Sequence, residues 1–212
     1  MSPARVYGGM TADQRHRDRR TRLIAATIEL MGTHGAAETT VTAVCAKSRV
    51  TSRYFYQHFA DRDALLRAVC DQLNAALQDA VVAAIPADSA TPEALAQAPV
   101  RALVTMIEQD PGLARILFVE SGIEPVLRAL RSEMMASFAD LILRQARVHL
   151  DIADSAIAVT HLAATLGVGG LFEVLRRWSE GEIEYTTAQL VTHCAGFLGS
   201  LGAYVLSDSA GE

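Results

Sequence analysis

The sequence predicts an all-α protein, a three-helix amino-terminal head followed by a larger helical bundle. Apolar residues recur at helical spacing almost throughout, and no alternating stretch competes for a strand. With six prolines and 6% aromatic residues, the chain also lacks the composition of a protein with many strands and turns. Half of its 212 residues are apolar, enough for a substantial core without covalent staples. Cys45, Cys70 and Cys194 form no CxxC pair, zinc knuckle or disulfide framework, which fits a reducing, cytoplasmic setting. The first twenty residues are polar and arginine-rich, so no signal peptide is expected.

Residues 1 to about 12 are expected to be a disordered arm carrying Arg5. Leu23, Thr27, Leu30 and Met31 then follow the i, i+4, i+7, i+8 stripe of a helix packed on one side, with arginines crowding its start and Gly35 ending it. Thr39 or Thr40 can cap a short second helix bearing Val41, Val44 and Cys45, before a turn at residues 47–50. Thr51 or Ser52 can cap a third, carrying Phe55 and Phe59 and ending near Ala60. Asp61 suits the N-cap of a long fourth helix, which Pro86 closes. Residues 84–93 read as a linker, and helices follow at about 93–109, 111–120, 124–150, 152–178 and 184–206. The expected division is a small head at 1–66 and a larger body at 67–212.

Two stretches without a formal charge, 155–172 and 185–207, are long enough to span a membrane. Each contains threonines and a histidine that hydrocarbon disfavours, so burial against the rest of the domain and a second subunit is expected instead of a membrane partner. In the last helix Gly196, Gly199, Ser200, Gly202 and Ala203 supply small side chains at i, i+4, the spacing of a close helix contact, here expected to form a homodimer.

The net charge of −5 conceals an asymmetry. Residues 1–70 hold 11 Lys and Arg against 6 Asp and Glu, and the remainder 8 against 18. A basic head on an acidic body suits one small region meeting a polyanion. Residues 40–59, TVTAVCAKSRVTSRYFYQHF, have the layout of a helix-turn-helix. Cys45 and Ala46 let the two helices approach, and Val41, Val44, Val50, Phe55 and Phe59 can form a miniature core. Thr51, Ser52, Arg53, Gln57 and His58 remain to face a groove.

At these residues the chain resembles the tetracycline-repressor (TetR) family of transcriptional regulators. The resemblance runs over residues 20–70, through Gly35, Thr40-Val41, Val50-Thr51, Phe55-Tyr56-Gln57-His58-Phe59 and Asp61-Arg62-Asp63-Ala64-Leu65-Leu66. It implies DNA contacts by Thr40, Thr51, Ser52, Arg53, Tyr54, Tyr56, His58 and Arg62, with Tyr56, His58 and Arg62 at phosphates. Family members usually carry glycine where Arg49 stands, so Arg49 is expected in a left-handed conformation at a cost of roughly 1 kcal/mol. They often carry a small residue in place of Arg53, so base preference does not transfer from a relative.

The resemblance also implies a cytoplasmic homodimer, acting as a repressor that a small hydrophobic ligand releases from double-stranded operator DNA. Candidate ligand contacts are Met106, Phe118, Met135, Phe138 and Phe172, with Gln145 and His161 as polar handles. A DNA-binding module without an effector is the alternative. No enzyme is expected, because GxSxG, HExxH and GxxxxGK[ST] are absent and Gly167-Val168-Gly169-Gly170 has no strand before it. His149, His161 and His193 have no metal-site spacing, and no cofactor is implied.

Overall fold

A computed structural model describes residues 11–209, and every regular element in that span is helical. The expected arm and Arg5 lie outside the described residues, apart from Thr11 and Ala12 at the start of the first helix. α1 (Ala12–His34) starts from a reciprocal cap in which Thr11 and Gln14 each accept the other's backbone N–H, and it ends at Gly35 with φ 90°. Thr40 caps α2 (Val41–Ser48), while the Thr39 hydroxyl is buried and donates to the Gly35 carbonyl at 2.7 Å. Arg49 closes α2 in the left-handed conformation, φ 54° and ψ 39°.

α3 (Ser52–Phe55) is shorter than the sequence suggests. From Tyr56 onward the chain turns, yet the N–H groups of His58 and Phe59 still bond back to the Phe55 carbonyl, so Phe55 and Phe59 both reach the core. Asp61 caps α4 (Arg62–Ala84), accepting from Ala64 N at 2.7 Å. Thr91 caps α5 (Pro92–Gln109), and Asp110 caps α6 (Pro111–Ala114). A single helix is expected over 111–120, but α6 passes through a π-helical turn (Arg115–Glu120) into α7 (Ser121–Ile123). α8 (Pro125–His149), α9 (Ile157–Ser179) and α10 (Thr187–Ser209) complete the body.

Burial divides into an amino-terminal core and a body core. Leu23, Met31, Val44, Phe55, Leu65, Leu66 and Val69 form the first, and Ile116, Leu127 and Leu130 from the body are buried in it as well. The second gathers α4, α5, α9 and α10 around Leu77, Val100, Val104, Leu175 and Val191. α4 runs unbroken across the expected boundary at 66–67, and its Leu73 packs against both cores.

Two of the small residues of α10, Gly199 and Gly202, have a partner within the chain. A Cβ on Gly199 would meet Glu93 at 2.8 Å and one on Gly202 would meet Pro92 at 2.6 Å, so these glycines admit the start of α5 within the same chain. The close approach inferred from their spacing is real, but its partner is internal. α9 and α10 leave several large apolar side chains uncovered: Leu162, Leu166, Phe197 and Tyr204 are each 56–58% exposed. Asp154–Ser179 and Thr187–Ser207 are long and apolar enough to cross a membrane by length and composition alone.

Candidate nucleic-acid interface and ligand cavity

The turn between α2 and α3 gives the motif its shape. Phe55 is fully buried, Val44 and Val50 lie beneath it, and Cys45 is 8% exposed, so the apolar positions of the motif form its core. Thr51, Ser52, Arg53 and Tyr56 are consequently left on the outer side, with Tyr56 60% exposed. Thr51 occupies the N-cap of α3 without a side-chain capping bond, and its hydroxyl remains open to an outside partner. Thr40 is exposed, but its oxygen already accepts from Ala43 N at 3.2 Å. Tyr54 is 40% exposed and lies under the Arg19 guanidinium, 4.4 Å from its ring centre. These groups, with Arg49 at the turn and Arg20 over the Phe59 ring, make a hydroxyl- and guanidinium-rich surface suited to phosphate oxygens.

Two expected contacts are placed otherwise. Arg62 turns inward: Nε donates to the Thr39 carbonyl at 3.0 Å, Nη2 to the Ala36 carbonyl at 2.6 Å, and the guanidinium pairs with Glu124 at 3.2 Å. It ties α4 to the α1–α2 loop and to the start of α8, and those bonds occupy the donors a phosphate would need. His58 has both ring nitrogens buried and without a hydrogen-bond partner among the described residues, and its ring centre is 4.0 Å from that of His16. Sequence spacing cannot reveal either placement, because both depend on partners brought in by the fold.

Burial first, then the adjacent His16, Arg19 and Arg20, lower the His58 pKa from 6.5. The neutral ring is therefore the folded form, and the unfolded chain takes up the proton first as pH falls. Folding stability contributed here is present above about pH 6.5 and declines below it. Denaturant titrations at about pH 7.5 and 5.5 should show an acid loss that His58→Phe reduces. An equal loss in the variant assigns the acid sensitivity elsewhere.

The body contains a cavity of about 210 Å³ between α4, α5, α8, α9 and α10. Phe118, Met135, Phe138, Gln145 and Phe172, all candidates from sequence, line it, and Phe118 meets Phe172 edge to face at 5.0 Å. Met106 and His161 do not. On α5 the lining positions are Pro92, Leu95, Ala96, Pro99, Val100, Leu103 and Ile107, and Met106 is offset from that stripe into the neighbouring packing. On α9 the stripe is Thr160, Ala163, Ala164, Val168, Leu171, Phe172 and Leu175, and His161 lies outside it, 3.3 Å from the Asp140 carboxylate. The walls supplied by Leu77, Val81, Leu95 and Leu103 were not singled out from sequence, because an apolar stripe facing a cavity has the same spacing as one facing a packed core.

Cavity and head meet at the π-helical turn. Leu117 and Phe118 line the cavity, and two residues later Glu120, 5% exposed, accepts the Ala36 N–H at 2.8 Å and the Arg115 Nε–H at 2.9 Å. Arg115 also donates to the Thr33 carbonyl at 3.1 Å. A Cβ on Gly32 of α1 would meet the Gly112 backbone at 2.9 Å, so the two helices approach with no side chain between them. A lone acid at the end of the apolar run Ile116–Val119 was the available sequence signal for Glu120.

Residues 23–69 match the family described as bacterial regulatory proteins, tetR family. The sequence matches no curated protein. Among solved structures, the fatty acid degradation regulator FadR from Bacillus halodurans is 18% identical, with 87% of this chain and 95% of that one covered and a TM-score of 0.67. The multidrug binding protein EbrR, solved with imidazole, is 25% identical over 86% of this chain and 94% of that one, TM-score 0.62. A putative transcriptional regulator from Pseudomonas aeruginosa PAO1 is 17% identical over 88% and 91%, TM-score 0.68.

Proposed function

We propose that the chain is a TetR-family transcriptional regulator, and that it is a cytoplasmic, homodimeric repressor released from a palindromic DNA operator by a small hydrophobic effector. Residues 1–66 read DNA, through Thr40, Thr51, Ser52, Arg53, Tyr54 and Tyr56, while His58 and Arg62 hold the reading surface in shape. Residues 67–212 bind the effector and join two copies. The observation that carries the effector reading is the apolar cavity whose wall, at Leu117 and Phe118, continues into the Glu120 bonds that hold the α1–α2 loop.

An occupant that repositions Phe118 would act on the head through Glu120 as well as through α4. To weaken DNA binding, the effector must prefer the off-DNA arrangement, and DNA must then weaken effector binding equally. The test is titration of a selected operator with and without a compound that raises the melting temperature. A coupling of about 1–3 kcal/mol predicts a roughly 5- to 150-fold loss of operator affinity at saturation. Tyr56→Phe should weaken all sequences alike, whereas Arg53→Ala should also change base preference. Tight binders that never alter DNA affinity would favour the effector-free DNA-binding module.

A further inference from the structure

The walls of the cavity are selective in charge. Among its lining residues none carries a formal charge, and only Gln145 and Thr160 are polar. The Thr160 hydroxyl donates to the Ala156 carbonyl of its own helix at 2.7 Å, so its proton is already committed. Gln145 is half-buried, and its carboxamide has no hydrogen bond among the described residues. It offers a carbonyl oxygen and two N–H donors inside an otherwise hydrocarbon wall. The nearby ionisable groups face elsewhere: His161 pairs with Asp140, and Arg131 lies over the Phe172 ring without lining the cavity.

The two polar groups share one end of the cavity. Gln145 adjoins Ala146, Thr160 is bonded to Ala156, and both alanines belong to the small cluster formed with Ile152 and Val205. The far end is aromatic, at Phe118 and Phe172. Along α8, the eleven residues from Gln145 back to Met134, another lining residue, cover roughly 16 Å. An extended tail fits that separation.

Resting on the effector reading above, we infer that the cavity takes an uncharged amphiphile with an apolar tail and a single hydrogen-bonding head, an alcohol, ester or amide, set at Gln145 with the tail toward Phe118 and Phe172. An ionised head loses its water shell there and finds no counter-charge, whereas a neutral head exchanges water for the Gln145 carboxamide.

The full-length protein is titrated by calorimetry with decanol, decanamide, decanoate and decylammonium, which share one tail and differ in the head. Decanol and decanamide should bind at least tenfold more tightly than either ion at neutral pH. Gln145→Leu should narrow that preference by weakening the two neutral compounds several-fold, while decane, which has no head, binds as before. Gln145→Glu should admit decylammonium. If decanoate or decylammonium binds as tightly as decanol, the inference falls and the effector reading stands; Arg131→Gln would then show whether that guanidinium holds the carboxylate. If no decyl compound binds, the inference falls together with the reading of this cavity as an effector site.

Discussion

Glu120→Ala should be the most damaging single change between body and head, lowering unfolding stability by about 2–4 kcal/mol. The carboxylate is 5% exposed and accepts from two donors on different elements, the Ala36 N–H at 2.8 Å and Arg115 Nε at 2.9 Å. Removing it leaves a buried N–H without an acceptor and a guanidinium without its carboxylate. The Ala36 N–H loses a partner that water replaces poorly at that depth, whereas the Arg115 guanidinium, 38% exposed, is rehydrated in part. Glu120→Gln should cost less, because its amide oxygen can still accept from Ala36 although it cannot pair a charge with Arg115. Chemical denaturation at neutral pH ranks the three proteins. A Glu120→Ala loss under about 0.5 kcal/mol would mean that the loop after α1 is held by Arg62 and the Gly32–Gly112 contact alone.

A charge placed on the uncovered face of α9 and α10 should separate the proposed dimer and with it most of the operator affinity. Leu166 is 58% and Phe197 56% exposed in the single chain, so replacing either removes little of its core. In a dimer, Leu166→Arg or Phe197→Arg would bury an unpaired guanidinium. Two joined heads also bind a palindrome with a gain that one head lacks, on the order of 10²- to 10⁴-fold. Each variant should therefore sediment as a monomer at about micromolar concentration and lose roughly a hundredfold or more in operator affinity, with helix content unchanged. Intact dimers in both variants would move the interface to another face.

The class of the fold, the order of its helices and the position of the reading motif were legible in the sequence, because each depends on local chemistry. Thr40 and Asp61 cap the helices that follow them, and Gly35 ends α1. Periodicity likewise placed Phe55 in the core, whereas the outward position of Tyr56 was implied only by the family resemblance. Such features need only neighbours within one or two turns, and those are written in the chain.

Partners distant in sequence were decided by the tertiary structure. Arg62 lies 62 residues from Glu124 and Ala36 lies 84 from Glu120, and no spacing rule connects them. The same limit explains Gly199 and Gly202 of α10: their pattern announces a close approach without naming the helix that makes it, and α5 of the same chain is that helix. It also explains Met106 and His161, which are correct in residue type for a cavity but offset from the lining stripes. A helix turns by about 100° per residue, so composition supplies suitable side chains while packing decides which of them face the cavity.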